Sequence, residues 1–399
     1  MKLVTREIAR CGASFLLQLL VLAGLPLAAL TRLVLWLLRI PPISYWTGTP
    51  IITLAQKAAS ERLLGKRSIS IVRFTYSISQ DFDVVLARWS CGSPWLLHPL
   101  TGLAFLFLLS TASRVHTFAD GGLLPVVRRR HFAIVELLAY RLFRIPHLVW
   151  TYGADVRTRE VTLALGPHNC CTDCSRVGQA CMCDAIQGGR NIARLKANGA
   201  VLFSMGDMIE YTTGSRNNLF FWPLDLTGRH ASTPITHSFT GRRGPLRVMH
   251  APNHREFKGT SYLEAAVADL QAEGVQIELI MVENLPNQKA LDVYRSADVI
   301  FDQCLIGFHG YFALEAMALG KPVMCFIRKP EEYLLEPQEC PIINTHIDTL
   351  RDDLRALVQN RDQLPQIGKR GRSYVERHYS RTAFAGRLKR AYEDLGITL

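Results

Sequence analysis

The stretch Asp302–Val323, DQCLIGFHGYFALEAMALGKPV, has the pattern of a strand, a loop and a helix. An apolar run ends at Asp302, a loop with two glycines follows, and a helix is predicted to begin near Gly310 and Tyr311. Backbone N–H groups at a helix start bind phosphate, and glycine lets such a ligand approach closely. Glu315, about one turn further on, can accept hydrogen bonds from sugar or ribose hydroxyls, although an acid there also favours the helix dipole. The stretch therefore predicts a site for a phosphorylated ligand.

A second loop precedes it in the chain. The run His250–Thr260, HAPNHREFKGT, follows one predicted strand and leads into a predicted helix. Arg255 and Lys258 are then expected at the carboxyl end of that strand, where two cations can neutralise a diphosphate. A solvated basic loop is the alternative interpretation of the same spacing.

The rest of the chain alternates strand-like and helical segments. This alternation predicts parallel sheets with crossover helices, and 399 residues exceed the usual size of one hydrophobic core. Two doubly wound, Rossmann-like α/β domains are expected, with the active site in a cleft between them at the carboxyl ends of the strands. In the first domain the predicted strands are Ile43–Trp46, Ser68–Tyr76, Val84–Trp89, Arg114–Phe118, His147–Thr151, Ala200–Ser204 and Leu219–Trp222.

Composition shifts place the domain boundaries. The predicted segments are a hydrophobic membrane-anchor region (1–40), a first domain (41–225) with a Cys-rich insertion (168–184), a Gly/Ser/Thr/Arg-rich linker (226–245), a second domain (246–380) and a final helix (381–399).

The N-terminal segment Cys11–Leu30 is apolar apart from Gln18 and is long enough, as one helix, to cross a bilayer. Pro26 divides the wider apolar region into two pieces that are short for a span, so a kinked or re-entrant helical anchor is the favoured prediction. A cleaved signal peptide, a single spanning helix and a buried helix are the alternatives. Arg32 and Arg39 argue against the buried helix, because both would need burial or a position at an edge.

The charge is unevenly distributed. Residues 1–245 contain 27 Lys and Arg against 13 Asp and Glu, a net charge of +14, whereas residues 246–399 contain 19 against 21, a net charge of −2. This asymmetry predicts an anionic partner for the first part of the chain. Membrane lipid or a phosphorylated acceptor fits it better than nucleic acid, because the basic residues are dispersed and do not form a known motif with interleaved aromatic residues. The composition also excludes disordered, collagen-like and disulfide-scaffold proteins.

Five of the ten cysteines fall within 14 residues. Cys171 and Cys174, followed by Cys181 and Cys183, offer four thiolates at a spacing compatible with a tetrahedral structural zinc site. An iron–sulfur cluster and a reduced loop without metal are the alternatives.

Together these residues resemble the retaining glycosyltransferases of family four, which have the GT-B fold and use nucleotide-sugar donors. That family has a glycine-rich loop and a helix ending in EAMA-G-PV, which reads EAMALGKPV from Glu315 to Val323 here. The resemblance implies that Arg255 and Lys258 bind the donor diphosphate and stabilise its departure. It also implies that the amides of Gly310 and Tyr311 contact phosphate, that Glu315 binds the ribose, and that catalysis needs no metal.

The first domain carries weaker points of resemblance. The Gly48-Thr49 loop looks like the glycine loop that faces the donor. The final helix, Arg372–Asp394, resembles the family's C-terminal helix, which crosses back to the first domain. Two positions depart from the family: Gly307 stands where a second acid is usual, and Tyr152-Gly153 stands where His-Gly is common. His309, His116 and Asp155 are the candidates to substitute, with His116, Tyr152 and Asp155 on the acceptor side.

The sequence thus predicts a membrane-associated enzyme with its catalytic domains facing the cytoplasm. It would transfer a hexose-type sugar from a nucleotide-sugar donor to a lipid-linked or polysaccharide acceptor, with retention of configuration. A GT-B nucleotide-sugar epimerase and a non-catalytic, glycosyltransferase-like membrane scaffold are the alternatives.

Overall fold

A computed structural model describes residues 2–76, 81–125, 132–179, 181–227, 244–283 and 293–397 of the chain. The chain divides into two compact units. The first unit comprises Met1–Thr158, Cys181–Leu219 and Ala385–Leu399, and the second comprises Arg159–Ala180 and Phe220–Phe384. The Cys-rich segment expected wholly within the first domain is therefore divided between the units. The linker expected at 226–245 lies outside the described residues, except for two residues at each end.

The strands of both units are parallel. They are β1 (Ile43–Thr47), β2 (Ser68–Val72), β3 (Val84–Val85), β4 (Ala112–Phe118), β5 (His147–Trp150), β6 (Val201–Phe203), β7 (Leu246–His250), β8 (Ile277–Met281), β9 (Val299–Gln303), β10 (Val323–Cys325) and β11 (Ile343–Asn344). One sheet has the order β3-β2-β1-β4-β5-β6 and the other the order β11-β10-β9-β7-β8. Each order reverses direction once along the chain, so each unit is doubly wound, and each has a switch point where ligands bind in such sheets.

Helices connect the strands. In chain order they are α1 (Lys2–Leu37), α2 (Ile52–Arg62), α3 (Leu86–Trp89), α4 (Pro94–Thr111), α5 (Ile134–Leu142), α6 (Arg159–Ala164), α7 (Ala185–Ala197), α8 (Arg255–Lys258), α9 (Thr260–Ala272), α10 (Tyr311–Ala318), α11 (Pro330–Tyr333), α12 (Leu350–Gln359), α13 (Leu364–His378) and α14 (Arg381–Asp394).

The predicted strand positions agree with the structure except at three places. The strand predicted at Val84–Trp89 is extended only over β3, after which the chain turns into α3, and the one predicted at Ser68–Tyr76 ends at Val72. Leu219–Trp222 is not a strand. Phe220 there has a φ of 42°, a left-handed conformation that interrupts an extended chain.

The helix predicted at Arg372–Asp394 is two helices. Between α13 and α14 the carbonyl of Tyr379 accepts a hydrogen bond of 2.7 Å from the N–H of Leu224, and Ser380 forms an isolated bridge with Leu224. This long-range pairing takes backbone groups out of the helix, and a sequence pattern local to the helix does not reveal it.

The N-terminal segment is one helix. α1 continues through Pro26, so the proline does not divide the segment into two helices, and the kinked or re-entrant anchor stays a prediction. A proline costs a helix about 3 kcal/mol, and packing against α4 offsets that cost: Leu17, Val21 and Ala28 are buried. The packing is close, because a Cβ on Gly24 would lie 2.4 Å from Leu106.

Arg32 finds its partner inside the protein. Its Nη1 donates to the carbonyls of Leu109 and Ala112, both at 2.9 Å, at the end of α4. Arg32 is therefore paired although α1 as a whole is not buried, which agrees with the argument against a buried helix. By length and composition alone, Gly12–Leu37 could also cross a membrane, and 22% of its most apolar window is buried.

Candidate functional site

The glycine loop of the first unit follows β1. Gly48 has a φ of 120°, and a Cβ there would lie 2.8 Å from the carbonyl oxygen of Gly121, so the position requires glycine. The hydroxyl of the next residue, Thr49, donates to Oδ2 of Asp120 at 2.8 Å. The predicted loop therefore lies against the turn that follows β4.

Asp120 is a functional candidate that the sequence reasoning missed. It follows the carboxyl end of β4, and besides Thr49 its Oδ2 accepts a hydrogen bond of 2.7 Å from the Tyr152 hydroxyl. One carboxylate thus joins the loops after β1, β4 and β5. The available signal was an acid two residues after the end of a predicted strand and before Gly121-Gly122.

Asp155 lies beneath the same loops. It is buried, and its carboxylate accepts hydrogen bonds from the backbone N–H groups of Tyr152, Gly153 and Ala119. Burial, and next the negative charge of Asp120, raise the pKa of Asp155 to about 7. Such a pKa near neutrality is common at functional sites.

A buried cation faces this group of acids. Lys57 is fully buried, with its ammonium 4.9 Å from the ring centre of Phe118 and 5.4 Å from that of Trp150. Burial lowers the pKa of Lys57 well below its ordinary value, and the charge of Asp155 opposes this. The carboxyl ends of β1, β4 and β5 thus bring together two aspartates and one lysine.

His116 lies elsewhere. It is fully buried, stacked on Trp46 with ring centres 3.7 Å apart, and its Nδ1 accepts a hydrogen bond of 3.1 Å from Trp150. Its Nε2 bonds the hydroxyl of Tyr392 at 3.0 Å, and that hydroxyl donates to the buried Glu61. Burial, then the charge of Arg114, lowers the pKa of His116 well below its ordinary value. This placement supports a role in the core and gives no support to the predicted acceptor-side role.

In the second unit, Lys258 has a buried partner. Its ammonium forms an ion pair with Oδ1 of Asp302, and Oδ2 of Asp302 accepts a hydrogen bond of 2.7 Å from the N–H of Gly310. Burial alone would raise the pKa of Asp302, but Lys258 holds it below its usual value. The helix-start amide predicted to contact phosphate is thus already bonded to a carboxylate. Asp302, at the end of β9, is the second functional candidate that the sequence reasoning missed.

Arg255 has different partners. It is 44% exposed and forms ion pairs with Glu264 and, at 3.1 Å, with Glu283. The two cations that the sequence treats as a pair therefore differ: Lys258 is held by a buried acid, and Arg255 by two exposed acids.

The remaining predicted donor residues lie on α10. Glu315 is 7% exposed, and its charge contributes, after burial, to raising the pKa of Tyr294. The hydroxyl of Tyr311 donates to the carbonyl of Pro223 at 3.0 Å. Both side chains are thus held against the body of the second unit.

Gly307, which stands where the family usually has an acid, packs against Arg328. Gly307 has a φ of 92°, and a Cβ there would lie 2.3 Å from the guanidinium of Arg328. The Arg328 N–H donates to the Gly307 carbonyl at 3.0 Å, so the loop and the arginine pack directly together. A basic side chain therefore stands beside the position where the family has an acid. His309, a candidate to replace that acid, is 1% exposed and packs on Phe308.

The cysteines of the predicted zinc site fall in both units. Cys171 and Cys174 belong to the second unit, and Cys181 and Cys183 belong to the first. Cys171 is held locally, because its N–H donates to the side-chain oxygen of Asn169 at 2.9 Å. Zinc binding by the four thiols stays a prediction.

Comparisons with known proteins relate the chain to one fold. No family model matches it, and no curated protein sequence matches it. Solved structures do match: sucrose-phosphate synthase from Thermosynechococcus elongatus is 13% identical, with a TM-score of 0.55 over 89% of this chain and 99% of its own. HepE of Anabaena, solved with UDP-glucose, is 10% identical, with a TM-score of 0.57 over 88% and 99% of the two chains. WaaG, a glycosyltransferase of lipopolysaccharide biosynthesis, is 12% identical, with a TM-score of 0.50 over 88% and 98%.

These likenesses span nearly the whole of each chain. The protein therefore has the GT-B fold, as the resemblance around Glu315 implies.

Proposed function

We propose that the protein is a membrane-associated glycosyltransferase that transfers a sugar from a nucleotide-sugar donor to a lipid-linked or polysaccharide acceptor. The observation that carries the proposal is the Lys258–Asp302–Gly310 cluster at the carboxyl end of β9, on the GT-B fold. It supplies a cation and a helix start at the edge of the sheet where doubly wound domains bind nucleotides. The similar structure of HepE was solved in complex with UDP-glucose, which supports a nucleotide-sugar donor.

In the proposed reaction Lys258 and Arg255 bind the donor diphosphate and stabilise the negative charge that develops as the glycosidic bond breaks. For this, Lys258 must share its charge between Asp302 and phosphate, and Arg255 must leave Glu264 or Glu283. Glu315 binds the ribose, and the backbone N–H of Tyr311, at the start of α10, contacts phosphate. No metal is required for these steps, and retention of configuration is part of the proposal.

The acceptor is proposed to bind at the first unit. Asp120 can accept a hydrogen bond from an acceptor hydroxyl, while Thr49 and Tyr152 orient that carboxylate. A net charge of +14 on residues 1–245 favours an anionic acceptor, such as one carried on a lipid phosphate.

The membrane part of the proposal rests on the exposed apolar side chains of α1, α4 and α5. Trp36, Trp95 and Leu142 are 72%, 82% and 67% exposed. A groove of about 760 Å³ between α1 and α5 is lined mainly by apolar residues, among them Pro26 and Phe143. Contiguous exposed apolar surface of this kind marks membrane or partner contacts. The catalytic units are proposed to face the cytoplasm, where nucleotide sugars are made.

The donor proposal is tested by thermal unfolding of the detergent-purified protein in a panel of UDP-, GDP- and other nucleotide sugars. One donor is expected to raise the unfolding temperature of the wild-type protein and to have little effect on Lys258→Ala and Arg255→Ala. Arg377→Ala is the matched control, because Arg377 is also an exposed arginine paired with a glutamate in the second unit. A panel without any stabilising donor would contradict the enzyme proposal and favour the scaffold, an alternative that the glycine at position 307 keeps open. The product formed from the donor distinguishes the two enzyme classes. A glycosyltransferase moves the sugar to an acceptor, whereas an epimerase converts the nucleotide sugar to its epimer.

A further inference from the structure

A group of three metal-ligand side chains lies in the second unit, apart from the Lys258 cluster. His168 Nε2 is 3.1 Å from Oδ2 of Asp348, and His346 Nδ1 is 3.8 Å from the same oxygen. One ligand atom from each of the three lies within 4.8 Å of the others. Within the described ranges this is the one such group of three or more His, Cys, Asp or Glu side chains.

The surroundings hold the two imidazoles together. Their rings stack with centres 4.5 Å apart, and the ring of Phe326 meets both edge-on at 6.0 and 5.9 Å. The carbonyl of His168 accepts a hydrogen bond of 2.8 Å from Arg328. His168 Nδ1 is buried and has no hydrogen-bond partner among the residues that the structure describes.

We propose that His168, His346 and Asp348 bind a divalent transition-metal ion of the zinc class. Two imidazoles and one carboxylate are ligands that Zn²⁺ accepts at about 2.0–2.2 Å, whereas Ca²⁺ and Mg²⁺ prefer oxygen ligands alone. Ligands on a tetrahedral ion at that distance lie about 3.3 Å from one another. The present separations reach that spacing through small rotations of the side chains, and coordination would replace the 3.4 Å hydrogen bond from the Asp348 N–H to His346 Nδ1.

Within the second unit, the ion would fasten the segment Arg159–Ala180 to the residues that follow β11. His168 belongs to Arg159–Ala180, whereas His346 and Asp348 follow β11. The same segment already contacts the loop that carries Arg255: Ser175 donates to Glu256 at 2.7 Å, and the Tyr262 hydroxyl donates to Asp173 at 3.0 Å. A bound ion would add a cross-link at the other end of these contacts, and it is independent of the predicted four-cysteine site.

The test uses the full chain, stripped with a chelator and titrated with Zn²⁺ by calorimetry and with Co²⁺ by absorption spectroscopy. Wild-type protein is expected to bind one Co²⁺ with d–d bands of nitrogen and oxygen ligation, without thiolate charge-transfer absorption. His346→Gln and Asp348→Asn are each expected to lower the affinity at least tenfold. His254→Gln, a matched change in the same unit, and Cys171→Ser/Cys174→Ser are expected to retain this ion.

Limited trypsin digestion gives a second readout. Cleavage after Arg176, which is exposed, is expected to slow when Zn²⁺ is added to the wild-type protein and not when it is added to Asp348→Asn. Because Asp348 is exposed, this variant keeps the fold, and its metal-free unfolding temperature checks that. The proposal is overturned if the wild-type protein binds neither ion, if both ligand variants bind as tightly as the wild type, or if only the cysteine variant loses the ion.

Discussion

Single residues at the carboxyl ends of the strands hold both candidate clusters together. Asp120 receives the hydroxyls of Thr49 and Tyr152, and Asp302 receives Lys258 and the amide of Gly310. In each case a carboxylate at a strand end organises loops that are distant in sequence. The two acids therefore position the residues that the sequence motifs identify.

Asp120→Asn tests the acceptor side at this scale. The change keeps the size of the side chain and removes its charge, so turnover of the donor that the unfolding panel selects is expected to fall by about 10²–10⁴-fold. Stabilisation by the nucleotide sugar should be unchanged, because the residue lies in the first unit. The exposed Asp362→Asn is the control. Unchanged turnover in Asp120→Asn would remove Asp120 from the proposed reaction.

Gly48→Ala tests the glycine loop. A side chain at a φ of 120° is strained, and its Cβ would meet the Gly121 carbonyl at 2.8 Å, so a loss of at least about 2 kcal/mol in the free energy of unfolding is expected. Gly65→Ala is the matched control, because Gly65 also has a positive φ, of 73°, but a Cβ there would meet nothing within 4 Å. Its expected loss is about 1 kcal/mol. Equal losses in denaturant unfolding would show that the contact with Gly121 contributes nothing.

At the scale of elements, α1 has one buried face and one exposed apolar face. Leu17, Val21 and Ala28 are buried, whereas Leu20, Leu27 and Trp36 are 61%, 67% and 72% exposed. Deleting the helix would uncover its buried partners on α4, so loss of membrane binding in a deletion would not separate anchoring from misfolding. Substitutions on the outer face separate them.

The triple change Leu20→Ser, Leu27→Ser and Trp36→Ser is expected to leave the protein folded and to weaken its sedimentation with anionic phospholipid vesicles. The physical reason is that the change removes part of the apolar area that would enter the lipid. Leu63→Ser with Ile186→Ser, two exposed apolar residues of the same unit, is the control. If the triple variant sedimented as fully as the wild type, the membrane contact would have to lie on other surfaces of the protein.

At the scale of the whole molecule, buried ionisable groups link stability to pH. Burial raises the pKa of Glu136 to about 7, although its carboxylate accepts hydrogen bonds from Tyr140 and from the N–H groups of Leu123 and Leu124. The folded state then binds more protons than the unfolded state between about pH 4.5 and 7. The stability from this group is fully present below that window and is lost as the pH rises through it.

Glu136→Gln is the variant that measures this linkage. Asp155, like Glu136, makes stability fall as the pH rises, because its pKa is raised in the folded protein. His116 and His147 make stability rise with pH, because burial lowers their pKa. The difference between wild type and variant therefore isolates Glu136. The free energy of unfolding, measured with urea, is expected to fall between pH 5 and pH 8 in the wild type. This fall is expected to be smaller in Glu136→Gln, by up to about 3 kcal/mol. Glu339→Gln, at an exposed acid, is the control, and a difference independent of pH would contradict the raised pKa.

The local patterns in the sequence were sufficient for the fold. Alternating strands and helices predicted two doubly wound units, because strand and helix periodicity and glycine loops are short-range properties, and the resemblance of the run from Asp302 to Val323 to a known family implied the GT-B fold. The same patterns indicated the placement of Lys258 and Gly310 at the end of a strand. They could not indicate that Pro26 lies inside a continuous helix, because the packing that offsets its cost comes from α4.

Only the tertiary structure decided the partners of the candidate residues. It pairs Lys258 with Asp302 and Arg255 with two glutamates, buries His116 among aromatic rings, and brings Asp120 to Thr49 and Tyr152. It also brings His168 to Asp348, 180 positions away in the chain. Parallel sheets collect the ends of distant strands at one edge, and the charge and hydrogen bonding of a side chain depend on which neighbours that edge supplies. The sequence determined which residues are available for this chemistry, and the fold determined which of them meet.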